Sequence, residues 1–212
     1  MEALFLRHKL HWSDADFIRS VVVGLLLLVG SLVVNYYAAI YANKSAGNAV
    51  SDIVLSNIPA YDIDSIFVYG TGIFISFIVL LILFEPKKLP FTIKTMALFV
   101  VIRSFFISLT HIGVDPSAIN IDSNLLLKFG PGGDLFFSGH TGLPFLMALI
   151  YWRNPVLRYV FIGTSMMFAV VVLLGHLHYT IDVASAYFIT FTIFHIAQRL
   201  FPKDEVLFHS VS

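Results

Sequence analysis

An all-α, polytopic membrane protein is the fold this sequence predicts: six transmembrane helices with both termini in the cytoplasm. Three observations lead there. The 212 residues are 58% hydrophobic and only 12% charged, where soluble domains carry about 25% charged residues. Mean hydropathy is +0.87. No Asp, Glu, Lys or Arg interrupts 20–43, 65–84, 135–152 or 159–181, and a helix needs about 20 apolar residues to cross roughly 30 Å of hydrocarbon.

Composition also excludes several classes. Lys+Arg 13 against Asp+Glu 13 leaves no net charge, so the chain is not a basic nucleic-acid binder. The absence of cysteine rules out a disulfide scaffold, a Cys-ligated zinc site and a thiol nucleophile. The apolar content is too high for disorder. The first apolar run is too long for a signal-peptide core. A single membrane domain over 1–212 is expected, with a cytoplasmic segment at 1–16.

Taken in order, the helices are expected near 17–42, 66–84, 91–112, 138–152, 157–176 and 181–201. The third carries Arg103. The fourth is short, so its outer end is expected to begin below the membrane surface, and Pro144 is expected to delay its regular start or kink it. Orientation follows from basic residues. With the N-terminus inside, the inner segments hold Arg7, Lys9, Arg19, Lys87, Lys88, Lys94, Arg153, Arg158, Arg199 and Lys203; the outer ones hold only Lys44 and Lys128. Two histidine-bearing stretches, 130–141 and 175–182, then fall on the outer face, where they can meet.

The first stretch runs Gly130-Pro131-Gly132-Gly133-Asp134 and then Ser138-Gly139-His140-Thr141. Glycines let backbone N–H groups approach an anion, and a helix N-terminus attracts negative charge. A phosphate there meets N–H donors with His140 beside it. Equally, the stretch reads as a Gly-Pro turn with Ser138 as an N-cap. Asp134 either orients His140 or caps the loop. In the second stretch, His176-Leu177-His178-Tyr179-Thr180-Ile181-Asp182, the four-residue spacing puts His178 and Asp182 on one face of a helix. A carboxylate on one imidazole nitrogen fixes the tautomer and directs the other to attack; the alternative is a pair that closes a loop. His176 lies off the face of His178. Arg103 must face the bundle or a water-filled cavity, where it neutralises a phosphate or pairs with a buried acid.

Together the two stretches resemble a known family. Gly-Gly-Asp-x3-Ser-Gly-His-Thr at 132–141 is similar to the Cys-Gly-Asp-x3-Ser-Gly-His-Thr motif of sphingomyelin synthases, with Gly132 in place of the cysteine. His-Tyr-Thr-x-Asp-Val followed by Ala-Tyr, at 178–187, resembles their second catalytic motif, and Arg103 through Thr110 matches their Arg-x6-Thr spacing. The resemblance spans roughly 90–195, about half the chain. It departs at Val100, where the family has tyrosine, and it lacks the family's paired upstream arginines. The family lies within the lipid phosphate phosphatase (PAP2) superfamily. The resemblance implies a six-helix bundle of that type, with His178 as nucleophile, Asp182 as its partner and His140 as the acid that protonates the leaving alkoxide. Arg103, Asp134, Ser138, Gly139 and Tyr179 are the expected substrate-binding residues.

Charge favours a phosphodiester donor. A phosphomonoester carries about −1.5 to −2, a phosphodiester one negative charge. The superfamily's phosphatases have an arginine six residues before the second histidine and a Lys-x6-Arg-Pro motif. Here Val172 occupies the first position, and no Arg-Pro dipeptide occurs. The expected activity is transfer of a phosphoalcohol from a glycerophospholipid to a lipid alcohol such as ceramide, through phosphohistidine. A phospholipase C or lipid phosphatase is the alternative, and a catalytically silent lipid-binding protein the second. Activity is expected to fall in acid as the nucleophile protonates. Membrane lipids are the expected donor and acceptor, with no cofactor, metal or nucleic acid. A bacterial inner membrane with a periplasmic active site is the expected location.

Overall fold

A computed structural model describes residues 2–119, 121 and 136–210. Asp134 lies outside the described residues. Every regular element among them is helical. A short helix, α1 (Glu2–Trp12), precedes the first long one. Asp14 accepts the Asp16 N–H and starts α2 (Ala15–Lys44). Next come α3 (Asp64–Phe84), a 3-10 turn at Pro86–Lys88 and α4 (Leu89–Leu109). Further along the chain come α5 (Gly139–Ile150), α6 (Pro155–Leu174) and α7 (Thr180–Leu200). Asn154 accepts the Leu157 N–H and Pro155 opens α6, a start that needs no proline N–H. The chain continues into α8 (Pro202–His209).

Five helices, α2, α3, α4 with its preceding turn, α6 and α7, are long and apolar enough to cross a membrane. They fit a polytopic membrane protein. The fourth expected span, 138–152, corresponds to α5, whose 12 residues cover about 18 Å at 1.5 Å each, short of the hydrocarbon core, as the sequence leads one to expect. Protein surrounds it instead. Leu146, Met147 and Ala148 are fully buried, and Gly142 lets α5 approach α4 and α7 so closely that a Cβ there would lie 2.9 Å from both Phe99 and Thr190. Pro144 does not delay the helix, which is regular from Gly139 with the proline inside it; it removes the N–H that would reach the His140 carbonyl. Two further differences from the sequence reading are α1, in the segment expected only as a cytoplasmic lead, and α8, beyond the last span.

The helix ends divide into two groups. At one end, α1 and α8 pack around the Pro86–Lys88 turn. There Lys94 on α4 donates to Asp204 on α8 and to Ser20 on α2, each at 2.7 Å, and Ser20 bonds Asp204 in turn. Phe208 lies against Phe91 and Tyr151 with centroids 5.9 and 5.3 Å apart. The opposite end carries the start of α5, with His140, and the α6–α7 turn, with His176 and His178.

Candidate active site

At the α5 end of the site, Ser138 is the N-cap. Its Oγ accepts the Thr141 N–H at 3.3 Å, and the residue is fully buried. Capping of this kind satisfies one of the donors that a helix start leaves unpaired. The Ser138 N–H donates to the Asp182 carbonyl at 3.1 Å. That backbone bond ties the first histidine stretch to the second.

Arg103 reaches the same turn from α4. Its Nε donates to the Phe137 carbonyl at 3.1 Å and Nη1 to Asn35 Oδ1 at 3.3 Å. Asn35, on α2, also takes a bond from the Ser104 hydroxyl at 3.4 Å. A Cβ on Gly139 would sit 3.1 Å from Arg103 Nε, so the missing side chain is what lets the guanidinium lie over the first turn of α5. A guanidinium and the positive end of a helix dipole thus act at one place, where an anion is favoured.

His140 follows on that turn and is held by rings. Its imidazole centroid is 4.2 Å from that of Phe67 on α3 and 5.8 Å from that of Phe168 on α6. Arg103, Gly139, His140 and Asn35 line a cavity of about 390 Å³ whose other walls are chiefly apolar, among them Leu32, Phe74 and Met96. The volume falls within the range of small-molecule sites.

His178 is placed differently. It stands in the α6–α7 turn, two residues before α7, so it does not share a helix face with Asp182 as the spacing predicts. Asp182 is in the first turn of α7 and reaches back. Its Oδ2 accepts the Tyr179 N–H at 2.9 Å and lies 3.4 Å from His178 Nδ1. Asp182 is fully buried and His178 is 8% exposed. A contact of 3.4 Å is at the long end for a hydrogen bond. The Tyr179 hydroxyl, expected among the substrate-binding groups, donates to the Gly113 carbonyl at 2.8 Å and accepts from Val50 N–H at 3.3 Å.

Two loops clamp this turn, and the sequence reading missed both. From the α2–α3 loop, Asp52 accepts the Thr180 N–H and hydroxyl, each at 2.7 Å. Burial alone pushes the Asp52 carboxyl up, but the Thr180 hydroxyl and the N–H groups of Leu55, Thr180 and Val54 outweigh it and hold the group below the usual carboxylate range. From the loop after α4, Ser117 Oγ lies 2.6 Å from His176 Nδ1, and Asp115 lies 3.5 Å from the same nitrogen. For Asp115, too, the bonds from Ser117 and His176 overcome burial and hold the carboxyl low. His176 has φ 54°, a left-handed conformation uncommon outside glycine, which turns the chain so that neighbouring residues 176 and 178 serve different partners. The loop aspartates are visible in the sequence. Which of them meets Thr180 or His176 depends on contacts 59–128 residues apart, for which local pattern gives no signal.

Residues 132–199 match the family model described as PAP2 superfamily C-terminal. The matched stretch contains His140, His178 and Asp182; Arg103 reaches the site from outside it. The match supports the PAP2, or lipid phosphate phosphatase, superfamily, whose members are generally phosphatases or phosphotransferases. No curated protein and no solved structure gives a match to the chain.

Proposed function

We propose that the chain is a phospholipid headgroup transferase working through phosphohistidine, with a glycerophospholipid as donor and a lipid alcohol such as ceramide as acceptor. One observation carries the reading. A guanidinium and a histidine lie together on a helix N-terminus at the head of an apolar cavity, and a backbone bond joins that turn to a second histidine paired with a carboxylate. The first group suits the phosphate of an amphiphile whose tails need an apolar wall; the second suits a nucleophile.

The steps follow from those roles. The donor phosphate sits against Arg103 and the first N–H groups of α5, near Ser138 and Gly139, with Asp134 completing the substrate-binding set the sequence implies; Tyr179, bonded to Gly113 and Val50, positions the turn that carries His178. Nε2 of His178, the nitrogen facing away from Asp182, attacks phosphorus. The bond from phosphorus to the diacylglycerol oxygen breaks, and His140 gives its proton to that oxygen. The acceptor hydroxyl then returns its proton to His140 and attacks phosphorus, and the N–P bond breaks. Asp182 stabilises the charge that develops on His178. Splitting the transfer in two is covalent catalysis, and ping-pong kinetics follow from it.

Water competes as acceptor, which would make the enzyme a hydrolase. Apolar lining near His140 favours the lipid alcohol. The test is purified protein in detergent with headgroup-labelled phosphatidylcholine or phosphatidylethanolamine, with and without ceramide. Label in ceramide product supports transfer. Free phosphoalcohol in its place supports hydrolysis, and no turnover of any donor overturns the enzyme reading.

A further inference from the structure

At the end away from the histidine motifs, the last turns of α5 and α7 and one side of α8 enclose a groove of about 420 Å³. Its two sides differ. Phe191 and Phe194 form an apolar wall along α7 that continues into the exposed Phe188 of the same membrane-length helix. The rim is polar and carries Arg153, His195, Gln198, Glu205 and His209.

The hydrogen bonds at the rim decide what it can hold. Gln198 donates from Nε2 to Glu205 Oε1 at 2.6 Å, so its carbonyl oxygen is the atom 2.9 Å from His195 Nδ1. His195 therefore carries its proton on Nδ1, and the one acid in the groove is already engaged. Arg153 differs from the nearby cations. Lys88 is paired with Glu85, Lys94 with Asp204, and Arg158 stacks on Trp152 and Tyr159. Among the described residues Arg153 has no ion-pair or hydrogen-bond partner. His209 stands close enough for burial and then the Arg153 charge to hold its imidazole below the ordinary value.

We propose that this groove seats one phospholipid of the leaflet on the side of the termini, its phosphate between Arg153 and His209 and an acyl chain along Phe191 and Phe194. The wall selects a lipid over a soluble phosphate, because only an amphiphile covers the rings and reaches the arginine together. Basic pockets at helix ends hold lipid headgroups in this way. The site is separate from the histidine motifs, and nothing in it bears on whether they are catalytic.

Trp152 lines the groove, and the chain has two tryptophans, so Trp12→Phe leaves Trp152 as the sole reporter. That variant is reconstituted in vesicles with acyl-brominated lipids, and quenching of Trp152 is compared between phosphatidylcholine, phosphatidylglycerol and diacylglycerol. Both phospholipids are expected to associate about fivefold better than diacylglycerol, the size of effect one arginine has toward a lipid headgroup. Adding Arg153→Gln should remove the preference, His209→Gln should reduce it, and Lys203→Gln, outside the groove, should leave it intact. The proposal is overturned if the three lipids quench alike, if the preference survives Arg153→Gln, or if phosphatidylglycerol alone is preferred, which would mean surface charge and not phosphate.

Discussion

His178 and His140 reach one end of the bundle by opposite means. His178 stands in a turn fixed by polar contacts: Asp182 behind it, Asp52 on Thr180, and Ser117 and Asp115 on His176. His140 sits on a helix start and is held by the rings of Phe67 and Phe168 beside a cavity. The polar setting holds the turn that carries His178 through carboxylate bonds from both sides. The aromatic setting packs the other ring against Phe67 and Phe168 beside the cavity. The two halves are thus secured by different forces, carboxylate bonds in one and ring packing in the other.

The largest expected effect comes from breaking the polar half. His178→Ala should lower turnover by roughly ten-thousandfold or more, the scale on which loss of a nucleophile acts, with no phosphorylated protein trapped by acid quench and no change in the thermal unfolding profile. Retained phosphoprotein would move the nucleophile to another residue and erase the contrast.

Gly139→Ala tests the ground the two share. The added methyl meets Arg103 Nε at 3.1 Å, so the guanidinium must give by a few tenths of an ångström, and KM for the donor should rise by about tenfold, more than kcat falls. An unchanged KM would show that Arg103 does not hold substrate where the helix start would place it.

Asp52→Asn reaches His178 only through Thr180. It should lower kcat by about tenfold while leaving donor KM alone. The pH dependence of this clamp has a definite sign. A carboxylate whose pKa is lowered on folding contributes stability that is present above its unfolded value and is lost as pH falls through the folded one. Asp52 is such a group, so amide exchange at Thr180 should stay slow through mildly acid pH and speed up only below the usual carboxylate range. Exchange that quickens near pH 6 would point to a histidine as the holding group.

Phe67→Leu is the mildest probe. One tilted ring contact with His140 is lost, and a change in rate of about threefold is expected from the size of such contacts. A loss as large as that of His178→Ala would mean that the aromatic seat is as strict as the polar one.

Much of this was legible in the residues. The charge-free runs locate α2, α3 and α6 to within a few positions, because burial in lipid tolerates few charges. The motif spacings single out His140, His178 and Asp182. The shortness of α5 was legible in the sequence; the protein packing that surrounds it was not, because α5 is as apolar as its neighbours. Nor were the loop clamps, since Asp52 and Asp115 look like any other loop carboxylates until the chain folds. The four-residue spacing of His178 and Asp182 does not reveal their geometry, because the same spacing serves a helix face and a reach-back across a helix start.

The 3.1 Å bond from the Ser138 amide to the Asp182 carbonyl joins peptide groups and involves no side chain. An alanine scan is therefore blind to the strut that keeps the two histidines in step, and so is a library of conservative exchanges. Among genetically encoded changes at that position, proline alone deletes the donor, and Ser138→Pro is where the alignment of the two halves can be severed with one codon.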